Sequence, residues 1–526
     1  MKMERKTEVK MKNKISIKGL FLTVMVALLG FVTTVSAAPI TITVDDTKSL
    51  STDVNSHYVT NQGTITISNV NTADVLSAYK VLDAYYNQTS NVVSYDFTTD
   101  FKAFLAQSTT YNSLSVQDYM TLTSGNVESG STRTESTLDT LASAYAGYIK
   151  KNSVAGTPMT SSGTTSTVTT DAGSYLILPT STSKVYAVMV GNIGISVVDG
   201  NWALENATIV AKVSEAGLTK KSDGKSSVSA EIGEDIPFEI NLTVPQYPTN
   251  ATNRKYKLTD TMSAGLTFSG MDSISIRDGE TVLALQVGAD KDGDPNYWDN
   301  KREIHNPTTS AFIGMIIVEG QKITIDFDTR SVNSTTLKVT YNAKLNNNAV
   351  IGGNNNNSAQ LEYSNDPYGT GTSTTPITLD GPGVVIVKTY SLSILKHEKN
   401  NEANGLSGAT FEVYRDQNLT DLQGTVTTGA DGTVVVKGLK EGSYWLKETK
   451  SPAGYSLIND PVQITIADAD ATDGVITAKI SNAKVGVLPI TGGMGTIIFT
   501  ISGAVLMIGA LWFIFVYRKK NNRVEV

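Results

Sequence analysis

The chain has 526 residues, a formal net charge of −7 and no cysteine. At roughly 150 residues per domain, this length predicts three or four domains. The mild negative charge argues against a nucleic-acid partner, which requires a basic face. The absence of cysteine excludes disulfides, thiolate metal sites and cysteine nucleophiles. Any covalent stiffening of this chain must therefore use other side chains.

The N-terminal segment has the pattern of a secretory signal peptide. Several lysines up to Lys18 precede an apolar run from Leu20 to Val32, and a small-residue site ending at Ala37 follows. A basic region, a short apolar region and such a site together direct secretion and are then removed. We expect residues 1–37 to be this signal, with cleavage after Ala37 or Ala38.

The C-terminal segment has the pattern of a membrane span. Residues 496–516 are apolar throughout and numerous enough to cross a bilayer. Arg518, Lys519 and Lys520 follow at once. Positive charge in that place keeps the last residues on the cytoplasmic side.

A pentapeptide stands just before this span. It consists of Leu488, Pro489, Ile490, Thr491 and Gly492. With the apolar span and the basic tail behind it, the pentapeptide resembles the LPxTG sorting signal of sortase substrates. The resemblance implies cleavage between Thr491 and Gly492, with transfer of the Thr491 carboxyl group to an amine. Proline favours the extended local chain that an enzyme groove would accept.

Short runs with a period of two residues recur between the two ends. They include residues 64–67, 322–327 and 463–466, and clusters of Gly, Asn and Asp separate them. Such runs are typical of half-buried strands, and their number predicts an all-β chain of tandem Ig-like β-sandwiches. One or two helices are expected between Ala73 and Ile149, because residues 136–150 carry Leu and Tyr at helical spacing.

Shifts in composition suggest where the domains begin and end. We expect a signal peptide over residues 1–37, an N-terminal domain over 38–215 (the first region), a second domain over 216–386 (the second region), a third over 387–486 (the third region), and the sorting signal with its span and tail over 487–526.

The third region carries two recognisable segments. Residues 444–455 read YWLKETKSPAGY, and residues 406–411 read LSGATF. They resemble the E-box and the L-x-G-A-x-F segment of Cna B-type domains, with serine in place of the usual alanine in the E-box. The resemblance implies a spontaneous isopeptide bond between Lys396 and Asn482, with Glu448 as the catalytic acid.

This chemistry has a clear physical basis. Burial removes water from a lysine and lowers its pKa, so that the neutral amine becomes a nucleophile. Burial keeps a glutamic acid protonated for the same reason, and the acid can transfer protons as ammonia leaves. Folding holds the partners at high effective concentration. The alternative is an ordinary ion pair between Lys396 and Glu448.

The second region resembles the fimbrial isopeptide-forming domain of backbone pilins. The segments that carry this likeness are residues 232–238, 258–262 and 357–365. The resemblance implies a bond between Lys220 and Asn357, with Asp260 as the acid. The alternative is a solvated lysine and a turn asparagine.

The choice of lysine in the second region is open between Lys220 and Lys221. Side chains alternate along a strand, so Lys220 should share the buried face of Leu218. Asn357 should share a face with buried residues further along its own strand, whereas residues 354–356 are expected to form a loop.

The first region resembles the N-terminal domain of the same pilins over residues 65–69 and 78–83. Near its end, residues 207–212 read ATIVAK, where that family has a motif ending in Tyr-Pro-Lys. The resemblance implies that sortase joins the amine of Lys212 to the next subunit, although Val-Ala here replaces Tyr-Pro. Lys184, Lys150 and Lys151 are the alternatives. The first region shows no convincing third isopeptide cluster.

Together these features predict a structural protein rather than an enzyme. The sequence offers no hydrolase motif and no metal or cofactor site. The expected function is the shaft subunit of a covalent pilus, anchored to the wall of a Gram-positive cell. The expected partners are a pilus-specific and a housekeeping sortase, other copies of the chain, minor pilins, peptidoglycan, and a host matrix protein or glycan. The alternative is a monomeric wall-anchored adhesin.

Overall fold

The structure is a computed structural model, and it describes residues 38–124, 137–181, 184–248, 251–288, 299–375, 381–468, 473–486 and 493–521. The expected signal peptide and the pentapeptide at 488–492 lie outside these ranges. Residues up to Thr389 and residues from Tyr390 onward form two compact units.

The first region contains fourteen described strands and three described helices. The strands are β1 (Val44–Leu50), β2 (Asp53–Val59), β3 (Gln62–Ser68), β4 (Val75–Asn87), β5 (Val92–Phe97), β6 (Thr157–Pro158), β7 (Thr160–Ser162), β8 (Thr165–Asp171), β9 (Gly173–Ser181), β10 (Val185–Tyr186), β11 (Met189–Val198), β12 (Asn201–Glu205), β13 (Ala207–Val210) and β14 (Val213–Ser214). The helices are α1 (Thr99–Gln107), α2 (Val116–Ser124) and α3 (Thr137–Asn152).

These elements form three layers. The central layer is a sheet with the order β1-β2-β4-β9-β11-β12, in which β5 and β6 also pair with β4. A four-stranded sheet, β13-β3-β8-β7, covers one face, and the helices cover the other. Strand β4 therefore needs apolar residues on both sides: Ala78 packs toward the small sheet, and Tyr79 packs toward the helices.

The prediction of helices in the first region is confirmed, but its described residues form three helices rather than one or two. The short helices begin at local capping signals. The Thr98 hydroxyl accepts the amide of Phe101, and Ser115 and Asp118 exchange hydrogen bonds as a capping box. Helix α3 has the expected apolar face, with Leu141 and Tyr145 buried.

The second region contains fifteen described strands. They are β15 (Gly217–Lys221), β16 (Ser227–Ser229), β17 (Asp235–Thr243), β18 (Tyr256–Met262), β19 (Leu266–Phe268), β20 (Ser275–Asp278), β21 (Thr281–Val282), β22 (Ala284–Gln286), β23 (Lys301–His305), β24 (Phe312–Glu319), β25 (Lys322–Phe327), β26 (Thr336–Leu345), β27 (Asn355–Ser364), β28 (Thr372–Thr374) and β29 (Val384–Lys388). A short 3₁₀ helix spans Met271–Ser273.

These strands form a two-layer sandwich. One sheet has the order β15-β17-β26-β20-β21, with β19 also on β26. The other has the order β16-β29-β27-β18-β25-β24-β23-β22, with β28 also on β27. Alternate residues of facing strands form the core between the sheets, as Ile240 and Ile325 illustrate. The expected alternating strand at 322–327 is confirmed as β25.

The second unit is a smaller sandwich followed by a helix. Its strands are β30 (Tyr390–Glu398), β31 (Asn401–Gly405), β32 (Thr410–Tyr414), β33 (Leu422–Thr427), β34 (Thr433–Leu439), β35 (Gly442–Lys450), β36 (Val462–Ile466) and β37 (Val475–Asn482). One sheet joins β31, β30, β34 and β37, and the other has the order β33-β32-β35-β36. The first strand, β30, and the last strand, β37, run parallel and side by side.

Helix α4 (Gly493–Asn521) follows this sandwich in the chain. Its stretch from Ile497 to Lys519 has a mean hydropathy of 2.3, which suits a membrane span by length and composition. The expected span at 496–516 falls within this helix.

Candidate functional site

Strand β15 places a lysine inside the sandwich of the second region. Its side chains alternate, so that Leu218 and Lys220 are buried while Thr219 is exposed and Lys221 is half-buried. Lys220 has no exposed surface at all, although a lysine is almost never fully buried unless it is paired. The alternation that favoured Lys220 over Lys221 thus agrees with the structure.

An aspartate and an asparagine meet this lysine from the opposite sheet. The Nζ atom of Lys220 lies 2.6 Å from both carboxylate oxygens of Asp260 and 2.5 Å from the Oδ1 atom of Asn357. Asp260 and Asn357 lie on the adjacent strands β18 and β27 and are both fully buried. The three predicted residues therefore form one cluster that bridges the two sheets, and we name it the Lys220 cluster.

The loop expected at 354–356 is wrong for its last two residues, because β27 begins at Asn355. The Asn355 amide donates to the carbonyl oxygens of Val350 and Val387. These bonds satisfy a side chain that is 1 % exposed, so the strand can start two residues earlier than its polar sequence indicates.

The Lys220 cluster also contains two aromatic residues that the sequence did not identify as part of the site. The hydroxyl of Tyr341, on β26, donates to Asp260 at 2.6 Å and accepts the Nδ2 hydrogen of Asn357 at 2.7 Å. The Nζ atom of Lys220 lies 3.0 Å from the same hydroxyl. Phe238 stacks on the Tyr341 ring, and its own ring centre is 5.3 Å from Nζ.

Burial dominates the electrostatics of the Lys220 cluster. Loss of hydration lowers the pKa of Lys220 to about 8, although the charge and hydrogen bonds of Asp260 oppose this shift. Burial, together with the nearby Asp260, raises the pKa of Tyr341 well above its usual value. The lysine is thus easier to deprotonate than in water, and the tyrosine keeps its proton.

The third region contains a second cluster, which we name the Lys396 cluster. The Nζ atom of Lys396, on β30, lies 2.5 Å from the Oδ1 atom of Asn482, on the neighbouring strand β37. Glu448 reaches both groups from the opposite sheet: it is 3.0 Å from Nζ, and it accepts the Nδ2 hydrogens of Asn482 at 3.0 and 3.1 Å. The structure brings all three predicted residues together.

The surroundings of the Lys396 cluster are apolar. Lys396, Glu448 and Asn482 are each at most 3 % exposed, and the ring centre of Phe411 lies 5.3 Å from Nζ. Burial lowers the pKa of Lys396, and the hydrogen bond and charge of Glu448 oppose this shift. The backbone amide of Ile458 donates to the Oε2 atom of Glu448 and fixes the direction of the carboxyl group.

Each cluster can carry out the same reaction. An amine, once neutral, can attack the amide carbon of the asparagine beside it, and a neighbouring carboxyl group can accept and return protons. The amide nitrogen would leave as ammonia. Neither cluster requires a cofactor for this step, and within the described ranges no group of His, Asp and Glu side chains could hold a metal ion.

Lys212 follows strand β13, whose side chains alternate between the core and the solvent. Ala207 and Ala211 are buried, whereas Val210 is 67 % exposed and Lys212 is exposed as well. The Lys212 carbonyl accepts the amide of Ala187, which fixes the backbone next to this lysine. The sequence ATIVAK thus presents the lysine outward from an anchored strand.

The three alternative lysines of the first region differ in their surroundings. Lys184 forms an ion pair with Glu215, and Lys150 lies 3.1 Å from Asp366. Lys151, at the end of α3, is exposed. Among the described side chains, no ion pair involves Lys212, so its amine is more accessible than those of Lys184 and Lys150.

Comparison with known proteins gives three family matches along the chain. Residues 232–367 match the Gram-positive pilin backbone subunit 2, Cna-B-like domain. Residues 391–484 match a prealbumin-like fold domain, and residues 480–523 match the LPXTG cell wall anchor motif. The chain belongs to the LPXTG-anchored backbone pilins of Gram-positive bacteria.

Individual relatives agree with this assignment. The pilin is 26 % identical over 406 residues to the trypsin-resistant surface T6 protein of Streptococcus pyogenes serotype M6, covering 60 % of this chain and 71 % of the relative. It is 25 % identical over 373 residues to the fimbrial subunit type 1 of Actinomyces viscosus, covering 61 % and 67 % of the two chains.

A solved structure supports the fold. The T6 backbone pilin of S. pyogenes, described as a modular three-domain structure, matches with a TM-score of 0.58 at 20 % identity over 81 % of this chain and 99 % of that one. The predicted all-β class is therefore confirmed. The pilin is secreted and anchored to the cell wall, and its function is structural, as a shaft subunit of a sortase-assembled pilus.

Proposed function

We propose that this pilin closes two of its sandwiches with covalent bonds, Lys220 to Asn357 and Lys396 to Asn482. The observation that carries this proposal is the repeated geometry: in each cluster a fully buried lysine amine lies 2.5 Å from an asparagine carbonyl oxygen, and a carboxylate lies within 3.0 Å of that amine. A buried ion pair adds little stability by itself, because desolvation costs about as much as the attraction returns. A reaction that uses up the buried lysine amine explains why a lysine and a carboxylate are present in the core of each sandwich.

The carboxyl groups would act as proton carriers. In the Lys396 cluster, Glu448 takes a proton from the ammonium group, and the neutral amine attacks the Cγ atom of Asn482. Glu448 then returns the proton to Nδ2, which leaves as ammonia, and accepts the last proton from the new amide nitrogen. Asp260 has the corresponding place beside Lys220.

Polymerisation would use a third lysine. We propose that a pilus-specific sortase cleaves after Thr491 and joins the Thr491 carboxyl group to the Lys212 amine of another copy. The exposure of Lys212 and its anchored backbone support this choice. A housekeeping sortase would attach the base of the fibre to peptidoglycan, and minor pilins would join through the same chemistry.

Two measurements test these proposals. Intact mass of the mature chain, residues 38–491, should fall short of the sequence mass by two ammonia molecules, and peptide mapping should locate one cross-link in each cluster. An immunoblot of cell-wall extract should show a high-molecular-weight ladder. A mass equal to the sequence mass would reject the internal bonds. A single band would instead indicate a monomeric wall-anchored adhesin.

A further inference from the structure

The two clusters differ in how the carboxyl group reaches the leaving nitrogen. In the Lys396 cluster, Glu448 contacts both the lysine amine and the Nδ2 atom of Asn482, at 3.0 Å each. In the Lys220 cluster, the shorter Asp260 contacts the lysine amine through both oxygens. The Nδ2 atom of Asn357 there donates to the hydroxyl of Tyr341 instead.

Tyr341 thus stands between the acid and the leaving group. Its hydroxyl is 2.6 Å from Asp260, 2.7 Å from the Nδ2 atom of Asn357 and 3.0 Å from the Nζ atom of Lys220. Both clusters hold a phenylalanine ring 5.3 Å from the lysine nitrogen, Phe238 in one and Phe411 in the other. The apolar platform is therefore common to both clusters, and the tyrosine hydroxyl is additional.

We propose that Tyr341 is a catalytic residue of the Lys220–Asn357 reaction, carrying a proton from Asp260 to the departing nitrogen. This inference rests on the cross-linking function proposed above. An aspartate is one methylene group shorter than a glutamate, and the tyrosine hydroxyl spans the distance that the missing group leaves. Asp260 and Tyr341 together perform the role that Glu448 performs alone.

The relay neither gains nor loses a proton overall. Asp260 takes one proton from the Lys220 ammonium, and the neutral amine attacks the Cγ atom of Asn357. Asp260 passes that proton to the Tyr341 oxygen while the Tyr341 hydrogen moves to Nδ2. The bond between Cγ and Nδ2 then breaks, ammonia leaves, and Asp260 takes the surplus proton from the new amide nitrogen. Tyr341 ends as it began.

The surroundings of Tyr341 suit a relay rather than a base. The side chain is 2 % exposed, and its ring stacks on Phe238 with centres 5.5 Å apart, so the hydroxyl is held in one direction. Burial raises the pKa of Tyr341, which keeps the phenol protonated until a proton arrives from the acid. A positioned proton donor of this kind typically accelerates a reaction about 10²- to 10⁴-fold.

The test is Tyr341→Phe in the mature chain, which removes one oxygen and keeps the stacked ring. Newly synthesised protein is followed by mass spectrometry, and peptide mapping reports each bond separately. We expect the Lys220–Asn357 bond to form about 100-fold more slowly than in the natural chain. The Lys396–Asn482 bond in the same molecule serves as the internal control and should form at its normal rate.

The double variant Asp260→Glu with Tyr341→Phe separates catalysis from structure. A glutamate at this position should reach the Asn357 amide directly, as Glu448 reaches Asn482, and should restore most of the lost rate. A purely structural role for the hydroxyl predicts no rescue. Normal bond formation in Tyr341→Phe, or absence of rescue in the double variant, would overturn the proposal.

A second measurement covers the case in which Tyr341→Phe fails to fold. Site-specific incorporation of a fluorinated tyrosine at position 341 changes the acidity of the phenol with little change in shape. The rate of bond formation should then change, and an unchanged rate would overturn the relay. If the natural chain contains no Lys220–Asn357 bond at all, the cross-linking function itself is rejected, which the wild-type mass shows independently.

Discussion

Replacing Glu448 with glutamine tests the Lys396 cluster most directly. Glutamine keeps the size of the side chain and an oxygen that can accept the Ile458 amide, but it cannot take a proton from the lysine. We expect Glu448→Gln to retain one ammonia that the natural chain loses, because the bond between Lys396 and Asn482 does not form. The bond in the second region should be unaffected.

The loss of stability can be worked out from the size of the closed loop. Lys396 and Asn482 are 86 positions apart. On the chain-entropy model, a bond that closes a loop of that length raises the free energy of the unfolded chain by about 4.6 kcal/mol and so stabilises the fold by that amount. The unreacted Lys396 ammonium also loses its carboxylate partner, and an uncompensated buried charge costs roughly 3–5 kcal/mol. The sum is comparable to the whole stability of an ordinary domain, about 5–15 kcal/mol.

A second variant separates the two contributions. Lys396→Met combined with Glu448→Gln removes the bond and the buried charge together. The free energy of unfolding of this double variant should therefore fall only by the loop-closure contribution of about 4.6 kcal/mol. Calorimetry and urea unfolding of residues 38–491 measure both variants against the natural chain. We expect the transition of the third region to fall by about 20 °C or more in the double variant. Loss of both ammonia molecules in Glu448→Gln, or an unchanged unfolding transition of the third region after the bond is lost, would refute this reasoning.

The other sites can be tested one at a time. Lys212→Ala should abolish the high-molecular-weight ladder while monomer is still secreted, and Lys151→Ala, which alters another exposed lysine of the first region, should keep the ladder; the reverse result would move the acceptor role. Replacing Thr491 with alanine should release the protein from the wall fraction, and wall attachment that survives would contradict the sorting signal. In Asn357→Ala, unreacted Lys220 has a folded-state pKa of about 8, below its unfolded value near 10.4, so the unfolded state binds more protons and the free energy of unfolding should rise between about pH 8 and 10. The bonded natural chain has no such amine and should lack this slope in urea unfolding at graded pH.

Alternation along strands was the most reliable guide from the sequence. It distinguished Lys220 from Lys221 because a strand turns successive side chains to opposite faces, and a single apolar neighbour, Leu218, fixes which face is buried. It also placed strands near their observed positions at β25 and β36. Two-residue periodicity is a local property, and the sequence displays it directly.

Local signals were less reliable where short polar elements depend on distant partners. The polar start of β27 reads as loop, but backbone carbonyl groups from two other segments satisfy Asn355. The short helix α2 spans only nine residues, and its capping box is visible only once its boundary is known. In each case a tertiary contact or a cap outweighs the average preference of the segment.

The contribution of Tyr341 could not be obtained from sequence. Its position between Val339 and Ala343 on an alternating strand does indicate burial. What its hydroxyl meets depends on Asp260, 81 positions earlier in the chain and in the opposite sheet. A buried tyrosine requires some hydrogen-bond partner, but the sequence does not say which one.

The location of the Lys396 cluster on the first and last strands of its sandwich determines how far a loaded fibre could lengthen. With the proposed bond in place, tension entering along β30 crosses at Lys396 to Asn482 and leaves toward the C-terminus. The 86-position span between them stays outside the load-bearing path. Unravelled, that span would add about 290 Å of contour to every subunit. With the proposed bond in place, that length is unavailable to a pull on the fibre, so the third region would transmit force without lengthening.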